Sequence, residues 1–299
     1  MPPSRRDFLR TLGGGLAAGA SILAGASCRR FPAGSRPPNV VLIFIDDMGY
    51  ADLGCFGARG SRTPRIDRLA AEGVRLTDFY VSQAVCGASR ASLLTGCYAE
   101  RVGYQGAPGP HSRIGLHPDE ETIAELLKAR GYATAIFGKW HLGCRPEFYP
   151  ARQGFDRYLG LLYSNDMWPY GYDGAPAAEG RKSGYPPLHL MRDEEAVAEI
   201  RTLEDQSTLT EAYTREALRF IDENRDRPFF LYLAHSMVHT PIAASPGFRG
   251  RSGLNPYADV VMELDASTGR IMDRLERYGL DGDTVVLFTS DNGPWLNFG

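Results

Sequence analysis

Six consecutive apolar residues, Val40-Val41-Leu42-Ile43-Phe44-Ile45, run without transition into Asp46-Asp47, and this junction constrains the fold more than any other stretch. A largely β-branched run with no polar residue on either face predicts a strand buried on both sides, as in a sheet covered by helices above and below. Similar runs recur at 132–137, 228–234 and 284–289, and a further strand is predicted over 74–80. Helical patterns fall between them. One opens at Thr63-Pro64, as cap and first-turn proline, and closes at Gly73; others cover 121–130, 209–224 and 257–278, and a short apolar turn at 91–94. This alternation predicts an α/β fold: a mostly parallel sheet with helices on both faces. In the long connection 144–208, the stretches 154–158 and 163–169 read as ordered loops and 171–187 is rich in Gly, Pro and Tyr; a connection of this length is expected to be functional or mobile.

With 299 residues, 43% of them hydrophobic, the chain is long enough to bury a full core of this kind. A net charge of −3 excludes the electrostatic footprint of a nucleic-acid binder. Five cysteines (Cys28, Cys55, Cys86, Cys97, Cys144) without a C-x-x-C pair exclude a disulfide framework and a zinc knuckle. The N-terminus carries Ser4-Arg5-Arg6-Asp7-Phe8-Leu9 ahead of a Gly/Ala-rich run at 12–26, too short and too weakly apolar to span a bilayer permanently. It is similar to a twin-arginine export signal, which predicts the twin-arginine machinery as a partner and a periplasmic or extracellular location. Cys28 follows Gly-Ala-Ser, as a lipid-anchored residue would, although Leu23 sits further upstream than a lipobox places its leucine. Residues 1–38 are therefore read as signal segment and linker, and 39–299 as the folded part.

Ionisable groups gather where the buried runs stop. Asp46 and Asp47 follow the run 40–45, Lys139 and His141 the run 132–137 (in Gly138-Lys139-Trp140-His141-Leu142-Gly143), His239 the run 228–234, and Asp291-Asn292 the run 284–289. Each alone is compatible with an ordinary loop. In a parallel sheet, however, all strand carboxyl ends lie on one edge, where ligands bind. Adjacent buried carboxylates need a compensating charge. Three carboxylates and an amide form a hard oxygen set suited to Ca²⁺ or Mg²⁺ rather than zinc. The segment Val85-Cys86-Gly87-Ala88-Ser89-Arg90-Ala91-Ser92-Leu93-Leu94-Thr95-Gly96 adds a thiol and a guanidinium beside a helix N-terminus, a setting for a tetrahedral oxyanion. His141 and His239 can move protons near neutral pH. Metal, cations and a nucleophile on one edge point to hydrolysis of a sulfate or phosphate ester.

The chain resembles the type I sulfatases of the arylsulfatase A-like kind, within the alkaline phosphatase superfamily. The matching residues are Ile45-Asp46-Asp47, the stretch 86–96, Gly138 to Gly143, Tyr163-Ser164-Asn165-Asp166-Met167-Trp168-Pro169, and Thr289-Ser290-Asp291-Asn292-Gly293-Pro294. The resemblance implies that a formylglycine-generating enzyme converts Cys86 to formylglycine, whose hydrated aldehyde is the nucleophile. It implies that Asp46, Asp47, Asp291 and Asn292 join residue 86 around one Ca²⁺, or in some members Mg²⁺. Arg90 would position the hydrate. Lys139, Ser164 and His239 would bind the sulfate, His239 would protonate the leaving alcohol and His141 would take a proton from the hydrate. The implied substrate is a sulfated small molecule or carbohydrate.

Three departures from the family pattern stand out. Ala88 occupies a position where the modification motif usually carries proline, and Leu162 another where proline is frequent. The chain stops at Gly299, so it reads as a catalytic domain truncated at its C-terminus, without a further substrate-binding lysine and the smaller C-terminal domain. Alternatives left open are a phosphoesterase or phosphonate monoester hydrolase of the same superfamily, an inactive fragment that binds sulfated glycans, and a cysteine hydrolase pairing Cys86 with His141 or His239.

Overall fold

Among the described residues, seven strands form one sheet, in the order 195–200, 188–192, 157–161, 133–139, 229–234, 39–45, 284–290. They are β1 (Asn39–Ile45), β2 (Ala133–Lys139), β3 (Arg157–Leu161), β4 (Leu188–Arg192), β5 (Glu195–Ile200), β6 (Phe229–Ala234) and β7 (Thr284–Ser290). The structure is a computed structural model that describes residues 36–295. The twin-arginine segment and Cys28 lie outside those residues. Among the described residues no helix is long and apolar enough to cross a membrane.

The pairings β1–β6, β1–β7, β2–β6 and β2–β3 are parallel, as the buried runs predict. At the other end β3–β4 and β4–β5 are antiparallel, so a hairpin emerges from the long connection 144–208. Five of the six β5 residues are exposed. Residues 74–80, predicted as a strand, form none; Val74 is 87% and Tyr80 83% exposed. The β-type composition is present there, but no described strand lies alongside to pair with it.

Among the described residues six α-helices accompany the sheet: α1 (Pro64–Glu72), α2 (Cys86–Thr95), α3 (Ile123–Lys128), α4 (Leu203–Ser207), α5 (Leu209–Asn224) and α6 (Pro256–Arg277). Alternate residues of β6 show the two covered faces. Phe229 packs edge-on against Phe220 of α5, whereas Phe230 and Tyr232 stack on Phe155 from the other side. Helix α3 starts with a reciprocal cap in which Thr122 Oγ1 accepts from Glu125 N (3.2 Å) and Glu125 accepts from Thr122 N (2.8 Å). Helix α1 starts differently from the sequence expectation. The Thr63 hydroxyl is engaged by Gly54 N and Asp67, and the first amides of α1, from Arg65 and Ile66, donate instead to Asp265 Oδ1 of α6, at 2.9 and 2.8 Å. Helix α2 begins at Cys86, five residues before the predicted turn, so Arg90 lies one turn inside it rather than ahead of it.

Two glycines permit close approaches that place the site. At Gly138 (φ +126°) a Cβ would fall 1.7 Å from the Ala234 carbonyl oxygen, so only glycine lets β2 lie against β6 in this conformation just before Lys139. At Gly87 a Cβ would come within 2.8 Å of the Gly106 carbonyl oxygen and 2.9 Å of the Tyr104 ring.

Candidate metal and oxyanion site

The parallel core of the sheet places the carboxyl ends of β1, β2, β3, β6 and β7 on one edge, and the ionisable clusters meet there. Lys139, the last residue of β2, donates to Asp46 Oδ2 (2.5 Å) and to Ser164 Oγ (3.1 Å). Arg90 reaches in from α2, donating to Asp291 Oδ2 (3.0 Å) and the Lys139 carbonyl (2.8 Å), with Asp46 Oδ1 at 3.4 Å. Its guanidinium also lies over the Phe44 ring. Asp47 N donates to Asp291 Oδ1 (3.1 Å), and Asn292 Nδ2 donates to Asp47 Oδ1 (2.7 Å). Residues 245 positions apart in sequence thus share one hydrogen bond. His239 presents Nε2 to Asp47 Oδ2 at 3.6 Å. Its Nδ1 lies 2.6 Å from the Thr240 carbonyl, which can only accept, so Nδ1 carries a proton and Nε2 faces the cluster.

Ligand atoms of Asp46, Asp47 and Asp291 lie within 4.8 Å of one another, as do those of Asp46, Cys86 and His239. Three buried carboxylates face two buried cations, Arg90 and Lys139. Asp46 Oδ1, Asp47 Oδ2 and Asn292 Oδ1 are buried with no hydrogen-bond partner. Unsatisfied oxygens at this density are costly unless a ligand answers them. Hard oxygen donors around an unbalanced negative charge fit a divalent cation of the Ca²⁺ or Mg²⁺ type.

The ionisation states follow from this crowding. Burial works to raise the Asp46 carboxyl, but Lys139 and then Arg90 overcome it and hold it well below the usual carboxylate range. Burial and the Asp46 charge push Asp47 upward and Asp291 well upward. Burial, then Asp46, raises the Cys86 thiol well above its ordinary value. A buried thiol among carboxylates is a poor source of thiolate, which argues against the cysteine-hydrolase alternative. His141 is forced well below the histidine range by burial, then by Lys139 and Arg90, so its ring is neutral at neutral pH.

His141 stands apart from the other predicted residues. It is 1% exposed, its backbone is left-handed (φ +57°), and neither ring nitrogen has a hydrogen-bond partner. Its carbonyl accepts from the Tyr104 phenol at 2.6 Å. Tyr104 escapes the sequence reading, because an aromatic between turn glycines carries no sign of the partner it meets 37 residues away.

The chain can now be set beside known proteins. The family model described as Sulfatase matches residues 38–298. Human arylsulfatase A is 44% identical over 268 residues, covering 87% of this chain and 53% of the relative. The N-acetylgalactosamine-6-sulfatase of Sus scrofa is 40% identical over 277 residues, covering 87% and 51%. A solved structure of Ps i-CgsB in complex with k-i-k-neocarrahexaose superimposes with a TM-score of 0.74 at 33% identity, over 87% of this chain and 60% of that one. The chain spans about half the length of the relatives it matches in sequence. The match runs through every segment that contributes to the rim, and on it the chain belongs to the sulfatase family.

Proposed function

We propose that this chain hydrolyses sulfate esters at the β-strand rim, with a divalent cation and a formylglycine made from Cys86. One observation carries the reading: the Asp46-Asp47 pair and the Asp291-Asn292 pair converge beside residue 86 with buried oxygens that lack a hydrogen-bond partner. Those four residues and residue 86 would hold the ion, which when bound supplies Lewis-acid stabilisation to a sulfuryl oxygen. A formylglycine hydrate at residue 86 would supply one nucleophilic hydroxyl and a second hydroxyl whose proton a neighbouring base could take.

The chain's own side chains do the remaining work. Arg90 lies one helical turn after residue 86 on α2, fixed by Asp291, Asp46 and the Lys139 carbonyl, and so orients that residue. Lys139 and Ser164, already hydrogen-bonded to each other, present an ammonium and a hydroxyl to the sulfate. His239, held at Nδ1 by the Thr240 carbonyl, directs Nε2 into the cluster and, as the imidazolium, delivers the Nε2 proton to the leaving alcohol. His141, neutral because burial and two cations oppose its charge, accepts the proton from the hydrate.

A sulfated carbohydrate or related sulfated small molecule is the proposed substrate, in keeping with the relatives named for N-acetylgalactosamine-6-sulfate chemistry and crystallised with a neocarrahexaose. The twin-arginine segment supports export to the periplasm or beyond, and the formylglycine-generating enzyme is the implied modifying partner. Mass spectrometry of the peptide holding Cys86, combined with 4-nitrophenyl sulfate and 4-nitrophenyl phosphate turnover with and without chelator, tests the proposal. An aldehyde at residue 86 and chelator-sensitive preference for the sulfate are expected. An unmodified thiol in a chain that still turns over sulfate, or preference for the phosphate, overturns it.

A further inference from the structure

No hydrogen bond holds the ring of His141, since neither nitrogen has a partner. The orientation of the imidazole therefore comes from packing and from its main chain. That main chain is left-handed at a non-glycine residue, a conformation that persists only where neighbours hold it. Two hydrogen bonds do so: His141 N donates to the Leu162 carbonyl (3.2 Å), and the His141 carbonyl accepts from Tyr104 Oη (2.6 Å).

The same tyrosine lies against the neighbour of the other reactant. A Cβ at Gly87, the residue after Cys86, would meet the Tyr104 ring at 2.9 Å and its hydroxyl at 3.1 Å. The phenol is 1% exposed, and its backbone is pinned by Tyr104 N to the Ala99 carbonyl (2.8 Å). Two residues on, the Gly106 carbonyl accepts from Ala88 N of α2 (3.0 Å). One rigid side chain thus spans from the start of α2 to the backbone of His141.

We propose that Tyr104 is a positioning residue, a spacer that fixes the approach of the His141 imidazole to residue 86. It acts through His141, and the inference rests on the roles given above to those two residues. A misplacement of roughly 1 Å between reacting groups costs up to about a hundredfold in rate, so the loss of one donor at this spacer should be visible.

Tyr104→Phe keeps the ring and removes the donor. With 4-nitrophenyl sulfate as probe, the full chain carrying this change should lose about ten- to hundredfold in kcat with KM within about twofold. The imidazole NMR signal of His141, identified by its loss in His141→Asn, should shift while that of His239 stays. Replacing Tyr104 with para-aminophenylalanine, which restores a donor on the same ring, should recover most of both. Unchanged kcat with an unmoved His141 signal overturns the proposal. So does a failure of the restored donor to recover either readout, or a shift of every histidine signal together, which would mark Tyr104 as a general core residue. If the wild-type chain leaves 4-nitrophenyl sulfate intact, the hydrolase reading fails, and the His141 signal alone still decides whether Tyr104 places the ring.

Discussion

Two groups of buried carboxylates, one along α6 and one at the rim, are treated in contrasting ways. Along α6, Asp259 accepts from Gly250 N (2.6 Å) and Ser252 N (2.8 Å), and Asp265 accepts from the two leading amides of α1. Their charge is spent on backbone donors, and they tie segments together. At the rim, Asp46, Asp47 and Asp291 lie among two cations and each other, and oxygens of Asp46 and Asp47 have no hydrogen-bond partner. Burial alone therefore does not mark a functional acid. What separates Asp259 and Asp265 from Asp46 and Asp47 is whether backbone amides already answer the oxygens; on the same helix Glu263 accepts from Ser245 N with one oxygen and leaves Oε1 without a partner.

The largest effect should come from the rim. Asp291→Ala is expected to lower kcat for an aryl sulfate by about a hundred- to thousandfold or more, while circular dichroism shows a folded chain. Full activity in that variant would erase the contrast. Next, Ca²⁺ should stabilise the wild-type chain against urea by about 2.7 kcal/mol at a hundred times its dissociation constant, and Asp47→Asn should abolish most of this gain. An equal gain in both proteins would place the ion elsewhere.

On the α6 side, Asp265→Ala should cost roughly 1–2 kcal/mol in urea unfolding, because two α1 amides lose their acceptor, with kcat of the folded enzyme unchanged. The smallest effect concerns pH. Burial raises the Asp265 carboxyl to about 6, above its unfolded value. A raised acid binds its proton more tightly when folded, so its contribution is present at low pH and fades as pH rises through about 6. Asp265→Asn keeps an oxygen for both amides, so it should gain slightly on the wild type as pH climbs through that window. Parallel stability profiles for the two proteins would show that the carboxyl titrates normally.

The legible elements are those whose sequence pattern alone satisfies their surroundings. β1, β2 and β6 are continuous apolar runs because both faces of the sheet are covered there, and α5 is amphipathic over the span 209–224 predicted for it; β7 is equally apolar but lies at the sheet edge, with Val285 47% and Leu287 49% exposed. The start of α2 is hidden because Cys86, Gly87, Ala88 and Ser89 are small and carry no apolar period. β4 and β5 lie at the edge of the sheet, where one-sided exposure breaks up the run. At 74–80 the pattern overstates the outcome, since β-type residues make a strand only beside a partner.

By itself the sequence determined which acids, cations and histidines end the buried strands, and hence that one edge of the sheet would be chemically loaded. Tertiary structure alone decided which of those groups meet. It joined Asp47 to Asn292, gave α1 its cap from Asp265, and set the Tyr104 phenol on the His141 carbonyl. Local pattern encodes burial and period, which each residue carries with it. A hydrogen bond between distant residues depends on the register and packing of everything between them, and no short stretch of chain contains that information.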